Sequence, residues 1–121
     1  MRFMSLYKPG RESDTPPSEQ VIAALGSLIE DMAKAGVLIA TDGLQPSSKG
    51  ARVRISDGKF TVTDGPFAET KELIGGYAIL NAKSKEEAIE LTRRFLKVHG
   101  DEWDIECEVR QLDGPEFGRE A

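Results

Sequence analysis

At 121 residues, with 39% hydrophobic and 31% charged side chains, the chain is long enough for one core and too apolar to be disordered. A net charge of −5 gives no basic footprint for a phosphate backbone, which excludes nucleic acid as a partner, and the lone Cys107 excludes an intrachain disulfide and points to a reducing, cytoplasmic setting. The opening MRFMSLYKPGRE is too short an apolar stretch for a signal peptide, and no window reaches the length of a membrane span, so no membrane association is expected.

In chain order, Arg2 to Lys8 reads as a first strand carrying Phe3, Met4, Leu6 and Tyr7. KPGRESDTPP follows as a long loop of proline, glycine and charge. Thr15 or Ser18 can cap the helix after it. Val21, Ile22, Leu25, Leu28, Ile29 and Met32 recur there at helical spacing, and Gly36 supplies a left-handed stop. VLIATDGLQ reads as a second strand. In ARVRISDGKFTVTD, Val53 and Ile55, then Phe60 and Val62, alternate with polar residues around Asp57-Gly58, a two-residue hairpin turn requiring positive φ at both positions. ELIGGYAILNA is the next strand. Ser84 with Glu87 three residues on forms a capping box, and Ala88, Leu91, Thr92 and Phe95, with Ile89 and Leu96 beside them, form the buried face of a second helix. Ile105, Cys107 and Val109 alternate with Glu106, Glu108 and Arg110 in a last strand with one dry side.

The order is strand, helix, strand, hairpin, strand, helix, strand, within a single domain over residues 1–121. Setting the hairpin aside as an insertion leaves βαββαβ, the α+β, ferredoxin-like arrangement in which two helices cover one face of an antiparallel sheet. The other face then needs a cover, and a second copy packed against it makes a homodimer the expectation.

Four motifs carry a family resemblance: DGLQP (42–46), DGKFTVTDGPFAETKE (57–72), GGY (75–77) and EVRQL (108–112). Together they resemble the DGPF subgroup of the YCII-related family, and the match covers nearly the whole chain. The resemblance implies a ferredoxin-like domain pairing into a dimeric α+β barrel. It also implies a cofactor-independent small-molecule enzyme, because related folds include small isomerases, dehalogenase-like proteins and cofactor-free monooxygenases. The subgroup's association with extracytoplasmic-function sigma factors implies a regulatory context instead. One departure matters: YCII-type members carry a His in the first helix and an Asp nearby as a proposed catalytic pair. Residues 18–35 hold no His here, Ala24 and Leu25 occupy the equivalent turn, and the pair is not carried over.

Candidate site residues follow from the same stretches. Asp64, at a strand end, is a candidate general base or substrate anchor; in the bland reading it bonds forward to a backbone N–H, Gly65 takes positive φ, Pro66 fixes φ and Phe67 plugs the loop onto the core. Glu69, Lys71 and Glu72 form either an acid–base cluster or a solvated loop surface. Gly75-Gly76 inside a strand marks a bulge, a bend or a close approach, with the bend favoured, and no P-loop or dinucleotide fingerprint follows it. His99, the only His, is a candidate acid or base, and equally a helix cap. Asp42 echoes Asp64; if the two turns meet, their carboxylates share a cleft and one pKa rises. Cys107 falls on the apolar phase of its strand, and Arg54 and Arg110 are candidate anion binders on the polar phase. One His and one Cys far apart leave no metal site beyond carboxylates for a hard cation, and no cofactor is expected. The expected pocket is lined by the Asp42 turn, Asp64 to Phe67, and Gly75, Gly76 and Tyr77. Two functions fit it: a small-molecule enzyme using a carboxylate for proton transfer, or a non-catalytic ligand-binding or regulatory module.

Overall fold

The computed structural model describes residues 1–10, 17–67, 73–100 and 104–113. In chain order these form strand β1 (Arg2–Pro9), helix α1 (Glu19–Lys34), β2 (Leu38–Gly43), β3 (Ala51–Ser56), β4 (Lys59–Asp64), β5 (Gly76–Asn81), helix α2 (Lys85–His99) and β6 (Ile105–Gln111). Four strands pair antiparallel in the order β2-β5-β1-β6, and β3 and β4 pair with each other as a separate two-stranded sheet. The fold is α+β and ferredoxin-like, with the hairpin as an insertion. The candidate cap Thr15 and the run Glu69, Lys71 and Glu72 lie outside the described residues.

Local chemistry sets the helix ends. Ser18 caps α1, its hydroxyl accepting from the Val21 amide, and Gly36 at φ 77° supplies the left-handed exit. Ser84 caps α2 by accepting from the Glu87 amide at 3.1 Å. The Glu87 carboxylate reaches back one residue further than a standard capping box, to the Lys83 amide at 3.3 Å. The Asp57-Gly58 turn has φ of 52° and 77°, both positive as expected.

The helices lie on the side of the sheet to which Phe3, Ser5, Ala78 and Leu80 point, and there the core assembles. Phe3, Met32 and Leu80 are essentially fully buried, joined by Leu38, Ala82, Ala88 and Leu91. Of the α1 stripe, Met32 is buried and Leu28 and Ile29 pack against the core, whereas Ile22 is 53% exposed although Val21 before it and Leu25 after it are half-buried. Thr92, buried mid-helix, satisfies its hydroxyl by donating to the Ala88 carbonyl at 2.9 Å.

Cross-strand alternation sends Met4, Leu6, Tyr77 and Ile79 to the opposite side, where no described element covers them. Lys8 and Glu108 pair there at 2.7 Å, which holds the Glu108 carboxyl below its ordinary range. A bulge between Leu38 and Ala40 decides which residues of β2 face which way. Leu38 pairs with Leu80 on the helix side, yet Ala40 pairs with Ile79 on the open side. Thr41 therefore turns toward the helices, and Asp42 toward the open face beside Tyr77.

Candidate functional site

Where the sheet runs out from under the helices, a cavity of about 550 Å³ opens on the helix side. Its size falls within the range of small-molecule sites. Leu25 and Ile29 of α1 and Phe95 and Leu96 of α2 form apolar walls, and Ala78 part of the floor. The polar groups come from the small or amphipathic side chains of β1, β2, α2 and β6: Ser5, Tyr7, Thr41, His99 and Cys107.

These groups form a connected strip. Thr92 Oγ1 lies 3.3 Å from Ser5 Oγ. Burial raises the Cys107 thiol above its ordinary 9.0, while a hydrogen bond from Ser5 works in the other direction and nearby Glu106 adds to the rise. Tyr7, the cross-strand partner of Cys107, is raised from 10.0 by burial first and by Cys107 second. The Tyr7 and His99 rings lie 5.6 Å apart between centroids, tilted by 33°. His99 Nδ1 is 2.9 Å from the Phe95 carbonyl. A carbonyl oxygen only accepts, so Nδ1 carries a proton in that contact. One histidine thus both satisfies the end of α2 and lines the cavity.

The paired glycines are explained by close approach rather than by a bend. A Cβ on Gly75 would lie 2.9 Å from Tyr7 Cδ2, and one on Gly76 would lie 2.8 Å from the Asp42 carbonyl oxygen. Gly75 is also pinned on both sides, donating to Tyr7 O at 2.7 Å and accepting from the Leu44 amide at 2.8 Å. Its missing side chain is what lets Tyr7 lie flat against β5 at the edge of the cavity.

The residues singled out in the sequence divide between two places. Asp42, Gly75, Gly76, Tyr77 and His99 all line the large cavity. Asp42 and Tyr77 do so from the sheet rim, since their side chains alternate to the open face, and the Asp42 carboxylate accepts from the Gly43 amide at 2.9 Å. Asp64 is exposed at the base of the hairpin, opposite Ala51, and is not among the residues lining this cavity. Phe67 lines a separate hollow of about 340 Å³ with Pro46, Arg52 and Leu73. Among the described residues, then, the two aspartates do not share a lining.

The Asp64 to Phe67 turn is held by other means than the sequence implied. Gly65 does not take positive φ; it is required because any Cβ would collide with the Ser47 backbone. The Gly65-Pro66 peptide is cis. Phe67 packs on the neighbouring loop rather than on the main core, its amide donating to Ser47 Oγ at 3.2 Å and its ring covered by the Arg52 guanidinium at 3.9 Å. Arg54 stands exposed on the polar face of the hairpin, and Arg110 lies 3.8 Å from Glu108 on the open face.

Ser5, Tyr7, Thr41 and Thr92 were not singled out from the sequence as site residues. The available signal was the phase of β1, where Ser5 and Tyr7 share the parity of the core residue Phe3. Among the described residues, no group of three or more His, Cys, Asp or Glu side chains converges to hold a metal ion, and no helix is long and apolar enough to cross a membrane.

The family model described as the YCII-related domain matches residues 1–100. An uncharacterised protein of Rhizobium meliloti (strain 1021) is 36% identical over 75 residues, 62% of this chain and 60% of that protein. The matched stretch thus spans about three fifths of that relative's length.

Proposed function

The chain belongs to the YCII-related family, and from that premise we propose that its helix-side cavity binds a small, mostly apolar molecule carrying one hydrogen-bonding group. The supporting observation is the convergence of Ser5, Tyr7, Thr41, His99 and Cys107 on a mostly apolar cavity of about 550 Å³. In this reading the apolar body lies between Leu25, Ile29 and Phe95, and the polar group meets Tyr7 and His99. The protein is a cofactor-independent enzyme that moves a proton, with His99 as the acid or base and Asp42 on the rim. A carboxylate is the weaker choice for that role, because Asp42 already accepts from its neighbour and turns to the other side of the sheet.

A second reading is favoured by the bond from His99 to Phe95 O, which is what a helix-capping histidine makes. Under it the same cavity binds without turnover, as a ligand-binding or regulatory module. The uncovered sheet face is covered by a second copy in either case, and the cytoplasm is the proposed setting for a chain with a single thiol.

Two measurements test this. Binding of an environment-sensitive naphthalene sulfonate dye should give enhanced fluorescence that Leu25→Trp, which fills the cavity from α1, abolishes; unchanged binding in that variant would place the site elsewhere. Solvent deuterium exchange into a panel of small enolisable carbonyl compounds should occur with the wild-type protein. It should vanish in His99→Asn while dye binding persists; no exchange with any compound leaves the binding module as the surviving reading.

A further inference from the structure

Part of the cavity floor is a row of side chains across three neighbouring strands. Thr41 of β2 pairs with Ala78 of β5, and Ala78 pairs with Ser5 of β1. All three point to the helix side and line the cavity. A ligand lying on this floor meets two hydroxyls, and counting protons shows which side of each hydroxyl it meets.

A hydroxyl has one proton and two lone pairs. The Thr41 hydroxyl donates to the Tyr77 carbonyl at 2.8 Å, so its proton is engaged within the sheet. Among the described residues, nothing donates to Thr41 Oγ1 in return. The Thr92 proton goes to the Ala88 carbonyl at 2.9 Å, because a carbonyl only accepts. Across the 3.3 Å contact between Thr92 and Ser5, Ser5 is then the donor, and its proton is engaged too. None is left to hold a Cys107 thiolate, in keeping with the burial that raises that thiol. Both floor hydroxyls therefore turn only lone pairs toward the cavity. Tyr7, in the adjacent row with Gly43 and Gly76, is the opposite case. Burial raises its phenol, which keeps its proton at neutral pH and donates.

The two acceptors differ in reach. Thr41 and Ser5 sit two strand spacings apart, about 10 Å between backbones, so one small ligand group cannot bridge them. Ser5 is 6% exposed and lies against Thr92 and Cys107, whereas Thr41 is half-buried and accessible. We propose that Thr41 is a specificity-determining residue of this cavity, its oxygen receiving a hydroxyl or N–H of the ligand. This rests on the reading of the cavity as a small-molecule site, and adds a second, donating group to the one that meets Tyr7 and His99. The ligand class is an apolar body with an acceptor, such as a carbonyl, on one side and a hydroxyl or N–H on the other. An ether oxygen in place of that donor sets lone pair against lone pair and leaves Thr41 Oγ1 unmet after water is displaced.

Matched ring compounds test this. Para-hydroxyacetophenone and para-methoxyacetophenone share a ring and a carbonyl, and only the first carries a donor on the far side. Isothermal titration should find the hydroxy compound bound at least about 10-fold more tightly, although the methoxy compound is the more apolar. Thr41→Val should shrink that ratio to less than about 3-fold and leave the affinity for the methoxy compound unchanged. Thr41→Ser keeps the oxygen and should keep the ratio. Failure of both compounds to bind the wild-type protein overturns the cavity reading and this proposal with it. Binding of both with a ratio near one overturns the proposal alone, as does a ratio that survives in Thr41→Val. A ratio lost in His99→Asn but kept in Thr41→Val assigns the donor to His99, which also overturns it.

Discussion

The adjacent glycines of β5 allow a quantitative comparison, because an identical substitution meets two different neighbours. In Gly75→Ala the new methyl lies 2.9 and 3.1 Å from two ring carbons of Tyr7 and 3.1 Å from Pro9 Cδ. The ring borders the cavity, so it relieves the contact by swinging away at the cost of an off-rotamer angle, about 0.5–1.5 kcal/mol. Replacing glycine in a β-compatible conformation returns about 0.4–1 kcal/mol through the unfolded chain. The net loss is about 0–1 kcal/mol. In Gly76→Ala the methyl lies 2.8 Å from the Asp42 carbonyl oxygen and 3.3 Å from Gly43 Cα. These are backbone atoms of a strand in register with β5, and moving them disrupts the pairing of Asp42 with Tyr77 and of Gly43 with Gly76. The expected loss is about 2 kcal/mol, a factor of roughly 30 in the folding equilibrium. Urea unfolding of both variants at neutral pH measures the difference. Gly75→Ala should in addition weaken dye binding, since it displaces Tyr7 within the cavity. Equal stabilities, or a more damaging Gly75→Ala, would refute the assignment of ring and backbone as the respective neighbours.

Three further outcomes are expected. Burial raises Cys107 and Tyr7 above 9.0 and 10.0, so the folded chain holds these protons more tightly than the unfolded one. Their contribution is complete below about pH 9 and is lost as pH rises through the raised values; Cys107→Ala and Tyr7→Phe should each flatten the alkaline fall in melting temperature, and an unchanged slope would contradict the burial. Ser84→Ala removes the acceptor for the Glu87 amide and should cost about 1 kcal/mol in denaturant unfolding, whereas the exposed Lys85→Ala should cost less than about 0.5 kcal/mol. Leu80→Ala empties the fully buried centre of the core and should cost about 2–5 kcal/mol, with Ile39→Ala, at an exposed bulge position, costing far less.

Much of the scaffold was legible because its signals are local. The capping serines Ser18 and Ser84, the positive-φ pair Asp57-Gly58 and the alternation of β6 each depend on neighbours within a few residues, and their chemistry admits few alternatives. The candidate site was legible in part. His99 and the Gly75-Gly76 pair stood out by rarity, whereas Ser5 and Tyr7 looked like ordinary strand residues until β1 was seen to lie under α2.

The order of helices and strands and the α+β class were set by hydrophobic periodicity and turn chemistry in the chain itself. Tertiary structure alone decided which aspartate reaches the cavity and from which side. One extra residue at Ile39 reverses the phase of β2, turning Thr41 toward the helices and Asp42 away from them, while Asp64 stays with the hairpin. A bulge is fixed by pairing with a partner strand nearly forty residues away in sequence, so no local pattern encodes the face on which a carboxylate emerges.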